Sequence, residues 1–356
     1  MPVKPLPNYE VIPLRSEEIR VAIVQSRLGT VDPNRAAEGR KLNLKHLLWM
    51  IDYAQARTYK DLLAFHEFPL GGLSRAWTRQ ECLKVAIDVP GPETEAIGRK
   101  AKEYGCYIEF GCYARLPDWP EHFFNLGVII GPDGSIIYKR WWLRNLAGVT
   151  GIGTTVWDVL DEFVRRYGWE AIFPVARTDI GNIALMSEVL EPELRRAFAM
   201  RGAEIGIHCM VRGTPEMGAR QSRPRATAQA LPEGPDVFHL DFRAACLVNH
   251  IYGLFIQNAV SEEGGRTLDG GVGRSVIYDC NGAVMAEVAS HHEGVVETVI
   301  PIAAYRKKHS IPRFQKELFT QLYQKYVSKY PPNLFLKSLP DSIAEGADRY
   351  RKAARW

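Results

Sequence analysis

The chain has 356 residues, 46% hydrophobic and 24% charged, and its formal net charge is +4. This is the composition of an ordinary soluble globular protein, long enough for one large core. The charges are spread along the chain, which leaves no nucleic-acid footprint, and no apolar run approaches the ~20 residues of a membrane helix. The first residues hold no apolar stretch of the kind a secretory signal needs. The six cysteines therefore read as reduced thiols in a cytoplasmic protein. No metal-ligand spacing appears; His291 and His292 are adjacent, unlike the i, i+4 pair of a helical metal site.

Strands and helices alternate from the start. Residues 19–26 are short and β-branched and predict a strand; 34–56 carry Leu42, Leu44, Leu47, Leu48 and Ile51 in a helical rhythm. Leu62–Phe65 is a second buried run, ending in the polar-then-glycine stretch His66–Gly72. Residues 92–104 predict a helix opened by Pro-Glu-Thr-Glu, and 106–113 a strand. A hairpin follows over 123–138, turning at Gly-Pro-Asp-Gly. Residues 155–168 predict a helix, 173–186 a strand pair, 191–202 a helix with Pro192 at its start and Gly202 at its end, and 203–209 a strand. Strand and helix material over 237–259, a hairpin over 274–288 and a strand over 295–301 complete one domain, residues 1–304. The remaining residues, 305–356, form a basic and aromatic arm. Its Phe314, Leu318, Leu322, Tyr323, Tyr326, Phe335 and Leu336 would be costly to leave in water, so the arm should dock on its own domain or a partner subunit.

Five stretches, in order, resemble one family: AFHEFPLGG (64–72), VPGPETEAIGRKAKEYGCYIEFGCYAR (89–115), FFNLGVIIGPDGSIIYKR (123–140), FPVARTDIGNIALMSEVLEPELRRAFAMRGAEI (173–205) and GRSVIYDCNGAVMAE (273–287). They are similar to the nitrilase superfamily. The resemblance implies a four-layer α-β-β-α sandwich that hydrolyses carbon–nitrogen bonds in small amides, nitriles or carbamoyl compounds. It also implies a Glu-Lys-Cys set without cofactor or metal, and a homodimer or larger homo-oligomer.

Glu67 falls on the family's general base, with His66 where the family usually has Pro. At the end of a buried strand its pKa can be raised to a useful value. In Tyr138-Lys139-Arg140 an ungapped reading puts Arg140 on the catalytic cation, and a one-residue slip restores Lys139. Strand alternation lets only one of them face the site, and Lys139 is the expected oxyanion stabiliser. Counting back from Pro192 puts Met186 on the family's cysteine and Glu188 on its following acid. A thioether has no proton to lose; a register shifted by one residue makes Ser187 the candidate nucleophile, and a serine needs an aligned base. Cys209 ends the next strand, where a thiol would face the same cavity. His66, Arg140, Trp141, Met186, Glu188 and Cys209 are expected to line the substrate pocket.

Three readings follow. One is a hydrolase acting on a small molecule through Glu67, a cation and a substitute nucleophile. A second is a non-catalytic descendant that binds a ligand or assembles without turnover. The third is hydratase or lyase chemistry that needs no covalent nucleophile. Substrate choice would rest on the loops 141–156 and 210–236.

Overall fold

The computed structural model describes residues 9–145, 152–212, 237–263, 266–269, 271 and 273–356. Much of the loop 210–236, and part of 141–156, lies outside the described residues. The first of two facing sheets runs from Gly294–Ile300 (β15) through Ile19–Gln25 (β1), Leu62–Phe65 (β2), Tyr107–Arg115 (β4) and Phe124–Ile130 (β5) to Ile136–Trp141 (β6), with Ile87–Asp88 (β3) paired to one end of β4. The second runs from Val284–Glu287 (β14) through Val276–Tyr278 (β13), Tyr252–Gln257 (β10), Ile205–Met210 (β9) and Gly181–Leu185 (β8) to Ala176–Thr178 (β7). A separate ribbon pairs Ser261–Glu263 (β11) with Arg266–Asp269 (β12).

The central strands β1, β2 and β4 are parallel, as are β8, β9 and β10. Both their faces are covered, so they read as continuous apolar runs. Alternation sorts them into two cores. Ile19, Val21 and Ile23 of β1 meet Ile183, Ile205, Ile207 and Leu254 between the sheets. Ala22 and Val24 face outward onto Leu47, Met50 and Ile51 of Ala36–Arg57 (α1) and Ile97 and Ala101 of Pro92–Tyr104 (α3). Over the second sheet, Phe198 of Pro192–Met200 (α5) and Phe242 of Val237–Asn249 (α6) pack on Ala184, Met186 and Phe255. The result is the expected α-β-β-α order. The α3 helix begins as its sequence implies, with Pro92 and two acids in its first turn, and stops at Gly105, whose φ of 61° suits glycine.

Before residue 300, one helix escaped the sequence reading. Arg79–Val85 (α2) is short, but its start was written in Thr-Arg-Gln-Glu: Thr78 and Glu81 form a reciprocal capping box.

The C-terminal residues contain three helices, Ile302–Lys308 (α7), Lys316–Lys325 (α8) and Ile343–Ala353 (α9), after Leu160–Tyr167 (α4) earlier in the chain. Arg306 of α7 forks onto buried Glu204 at 2.6 and 2.7 Å, and Tyr9 Oη and the Asn182 N–H also donate to that carboxylate. Glu204 is the acid of the Arg-Gly-Ala-Glu stretch, so that stretch anchors the chain beyond the last strand. Farther on, Asn333 N–H and Phe335 N–H donate to the carbonyls of Trp157 and Asp158, and buried Tyr350 donates to the Asp158 carboxylate. These contacts lie within one chain. In contrast, Leu318, Leu322, Tyr323 and Tyr326, on and just after α8, stay exposed. Tyr350→Phe should cost about 1–3 kcal/mol by stripping a hydrogen bond from buried Asp158. Limited trypsin digestion should then cut at Arg349, Arg351 or Lys352 sooner than in the wild type; an unchanged cutting rate would mean Tyr350 does not hold the arm. No helix among the described residues is long and apolar enough to cross a membrane.

Candidate active site

The parallel strands β2, β8 and β9, and β6 beside them, end on one side of the sandwich. Ligands of open α/β sheets bind outside such carboxyl ends. Glu67 follows β2 and is buried. Its carboxylate accepts from Asn125 Nδ2 at 2.5 Å and from the backbone N–H of Val211 just beyond β9, so it spans the two sheets. Burial pushes its pKa up to about 7 against the pull of Asn125, Val211 and Arg140. Gly111 makes room for this turn: a Cβ there would lie 2.4 Å from the Glu67 carbonyl oxygen.

Arg140, not Lys139, points between the sheets. Arg140 pairs with Gly127, whose missing Cβ would strike Leu185 of the opposite sheet, and Lys139 pairs with Val128, which faces the helices. Paired residues share a face, so the expected role for Lys139 has no geometric support, and the lysine stays half-buried on the helix side. Trp141 shares that side, stacked on Tyr167 at 5.0 Å and edge-on to Phe163 at 5.1 Å. It is helix-layer core and does not line the site. Arg140 ion-pairs with Glu188; both are buried. Burial lowers its pKa to about 10, so it stays charged at neutral pH. Its Nε has no hydrogen-bond partner.

After β8 the same alternation separates Met186 from Ser187. Met186 packs in the helix-side core against Gly206, and it does not reach the pocket assigned to it. Ser187 turns inward, with Oγ 3.4 Å from Cys209 Sγ. Glu188 accepts from the Leu143 N–H at 3.4 Å besides holding Arg140. Cys209, on β9, lies in the core between the sheets with Tyr138, Ile129 and Leu185. Its thiol sits among Glu109, Glu67, Ser187 and Arg140; burial, then the charge that the two carboxyls carry when ionised, pushes its pKa well above the usual thiol range.

His66, expected to touch substrate, is occupied by the backbone. Its Nε2 meets the Arg27 carbonyl and its Nδ1 accepts the Phe68 N–H, both at 3.2 Å, and burial lowers its pKa to about 4. It shapes the turn that carries Glu67. Two residues of the cluster were missed in the sequence. Asn125 and Glu109 each interrupt an apolar strand, in FFNLG and CYIEFG, and a polar residue inside a strand buried on both faces was the available signal. Among the described residues no group of three or more His, Cys, Asp or Glu is arranged to hold a metal ion.

Comparison with known proteins agrees with the fold. The amidase from Nesterenkonia sp. AN1, solved as a double mutant in complex with acrylamide, superposes with a TM-score of 0.56 at 17% identity, covering 88% of this chain and 100% of that one. Saccharomyces cerevisiae Nit3, a member of branch 10 of the nitrilase superfamily, gives 0.55 at 16% identity, covering 90% and 99%. Formamidases of Bacillus thuringiensis and Bacillus cereus are 38% identical over 80 residues, 22% of this chain. The match spans 23% of the formamidases' own length. Residues 20–309 match the family described as Carbon-nitrogen hydrolase. With most of its length so matched and the two-sheet sandwich in place, the chain belongs to the carbon-nitrogen hydrolase family.

Proposed function

We propose that the protein hydrolyses the carbon–nitrogen bond of a small uncharged amide, with Glu67 moving the proton and Arg140 receiving the negative charge that develops on the carbonyl oxygen. The observation that carries this reading is a buried carboxyl with a pKa of about 7 in the electrostatic reach of a buried guanidinium. A group that titrates near neutral pH can both take and return a proton in one cycle. A buried cation whose Nε lacks a partner is poised for an oxyanion, because a fixed charge in a water-poor site costs little reorganisation. Arginine is a planar fork, unlike the point charge of the lysine that the resemblance implies, and Glu188 holds one end of it, leaving the other for substrate. Beside Glu67, Leu28, Phe68 and Val211 form a small apolar cluster suited to a short acyl chain. The formamidase and amidase names among its relatives support a short amide as well. The exposed apolar side chains around α8 support association of chains.

A panel of formamide, acetamide, acrylamide and butyramide, scored by ammonia release, tests the reading. Turnover of at least one, rising with pH through about 7, is expected. No ammonia from any of them between pH 6 and 9 would favour the second reading, a protein that binds without turnover. The observation behind that alternative is that Met186, which the resemblance aligns with the family's cysteine, packs in the helix-side core away from the site.

A further inference from the structure

We infer that the nucleophile of this site has moved one strand over, to Cys209 at the end of β9, and that the buried carboxyl of Glu109 on β4 is its partner. The inference rests on the amide-hydrolase reading above.

Met186, which the resemblance aligns with the family's nucleophile, follows β8 and faces the helices. The inward residues on that side are Ser187 and, on the neighbouring strand, Cys209, with 3.4 Å between oxygen and sulfur. Paired strands lie roughly 4.8 Å apart, so the shift moves a nucleophile by about one strand and keeps it in the same gap. Of the two, the thiol is the stronger nucleophile, and the serine contact leaves Ser187 to position it. The Val211 N–H that donates to Glu67 lies two residues beyond Cys209 on the same chain segment, which ties the proton acceptor to the thiol.

Glu109 is the second, independent observation. It is fully buried, neither of its carboxyl oxygens has a regular hydrogen-bond partner, and no cation pairs with it among the described residues. Its surroundings are the Phe65 backbone N–H and the Cys209 thiol. An isolated carboxyl inside a core costs several kcal/mol if ionised and is kept neutral; burial does raise the Glu109 pKa well above the usual carboxylate range. A neutral carboxyl is a hydrogen-bond donor. Beside sulfur it would stabilise the thiolate without repelling it, since bonding to the charged form favours that form. The two carboxyls thereby take different roles, Glu67 as acceptor and Glu109 as donor.

The steps balance with water as the only co-reactant. The Cys209 proton passes to ionised Glu67 as sulfur bonds to the carbonyl carbon, and the carbonyl oxygen becomes negative beside Arg140. The C–N bond then breaks, and the nitrogen leaves as ammonia with the proton from Glu67. Water attacks the thioester, giving its proton to Glu67. The C–S bond breaks, and sulfur regains a proton from Glu67 as the acid departs.

Fluoroacetamide, whose acetamide moiety is covalently added at the active-site cysteine in a Glu-to-Gln mutant of the Nesterenkonia amidase, is the probe. The full chain would be treated with it and every cysteine peptide quantified by mass spectrometry. Cys209 should be modified at least about tenfold faster than the other five cysteines, at a rate that rises through pH about 7 and falls in Glu67→Gln. Glu109→Gln, which keeps a neutral donor, should label within tenfold of wild type, and Glu109→Leu more slowly. Cys209→Ala should lose on the order of 10³-fold or more in amide turnover. Equal labelling of all cysteines, or ammonia release that survives Cys209→Ala within tenfold, would overturn the assignment and leave the hydrolase reading standing. Selective Cys209 labelling without turnover of any amide would overturn the hydrolase reading and leave the reactive thiol in place.

Discussion

Glu67→Gln should abolish most turnover and, at alkaline pH, make the protein more stable. The loss in kcat/KM should be about 10²–10⁴-fold, the usual contribution of a positioned general base. The wild-type profile should climb with pH through about 7, as Glu67 ionises, and the residual activity of the variant should lack that limb. Stability moves oppositely. The folded-state pKa is raised, from 4.5 to about 7, so the native protein binds this proton more tightly than the unfolded chain. Stability from this group is present below the unfolded value and declines as pH rises towards 7. At about 1.4 kcal/mol per pH unit, the wild type gives up roughly 3 kcal/mol across that window. The amide gives up none, and its oxygen still accepts from Asn125. Urea unfolding at pH 5 and pH 8 would measure the difference. A variant no more stable at pH 8 than the wild type would contradict the burial of an ionisable Glu67.

Glu188→Leu should be the more damaging change to the fold. It leaves Arg140 charged and buried without its partner, and breaking such a pair costs about 3–5 kcal/mol. With an unfolding entropy of about 2.1 cal/mol/K per residue, a chain of this length should lose roughly 4–7 °C in Tm. The double variant Arg140→Met/Glu188→Leu should recover most of that stability, because a buried ion pair is often matched by well-packed apolar residues. It should not recover turnover. Calorimetry beside the ammonia assay separates the two effects. If the double variant regained turnover, Arg140 would be a structural cation and the oxyanion would be stabilised by something else.

Most of the sandwich was legible because strands covered on both sides announce themselves as short apolar runs with turn residues between them. The predicted hairpin over 123–138 and the helix over 92–104 correspond to β5, β6 and α3 within two or three residues. The site was harder, for a reason that Lys139 and Arg140 make plain. Which of two neighbours faces inward depends on register, and register here is set by Gly127 passing under Leu185, a contact between sheets that local pattern does not contain. The same parity divides Met186 from Ser187. Glu109 escaped notice because its meaning comes from Cys209, a hundred residues away on the facing sheet. Beyond residue 305 the apolar side chains, Phe335 among them, announced an arm that docks, but no helical rhythm was read there, and the burial of Tyr350 was not foreseen.

Tyr138 carries a consequence for how this site tolerates change. It stands two residues before Arg140 on the same face of β6, and its hydroxyl donates to the Pro174 carbonyl while accepting the Leu185 N–H of the opposite sheet. The width of the gap beside the cation is thus set by the length of a phenol ring held at both ends, a spacer that does not compress. Substitutions that loosen the apolar filling elsewhere between the sheets should alter stability while leaving the gap unchanged. Shortening that one spacer would let the two walls of the site drift relative to each other, with every residue of the cluster still present.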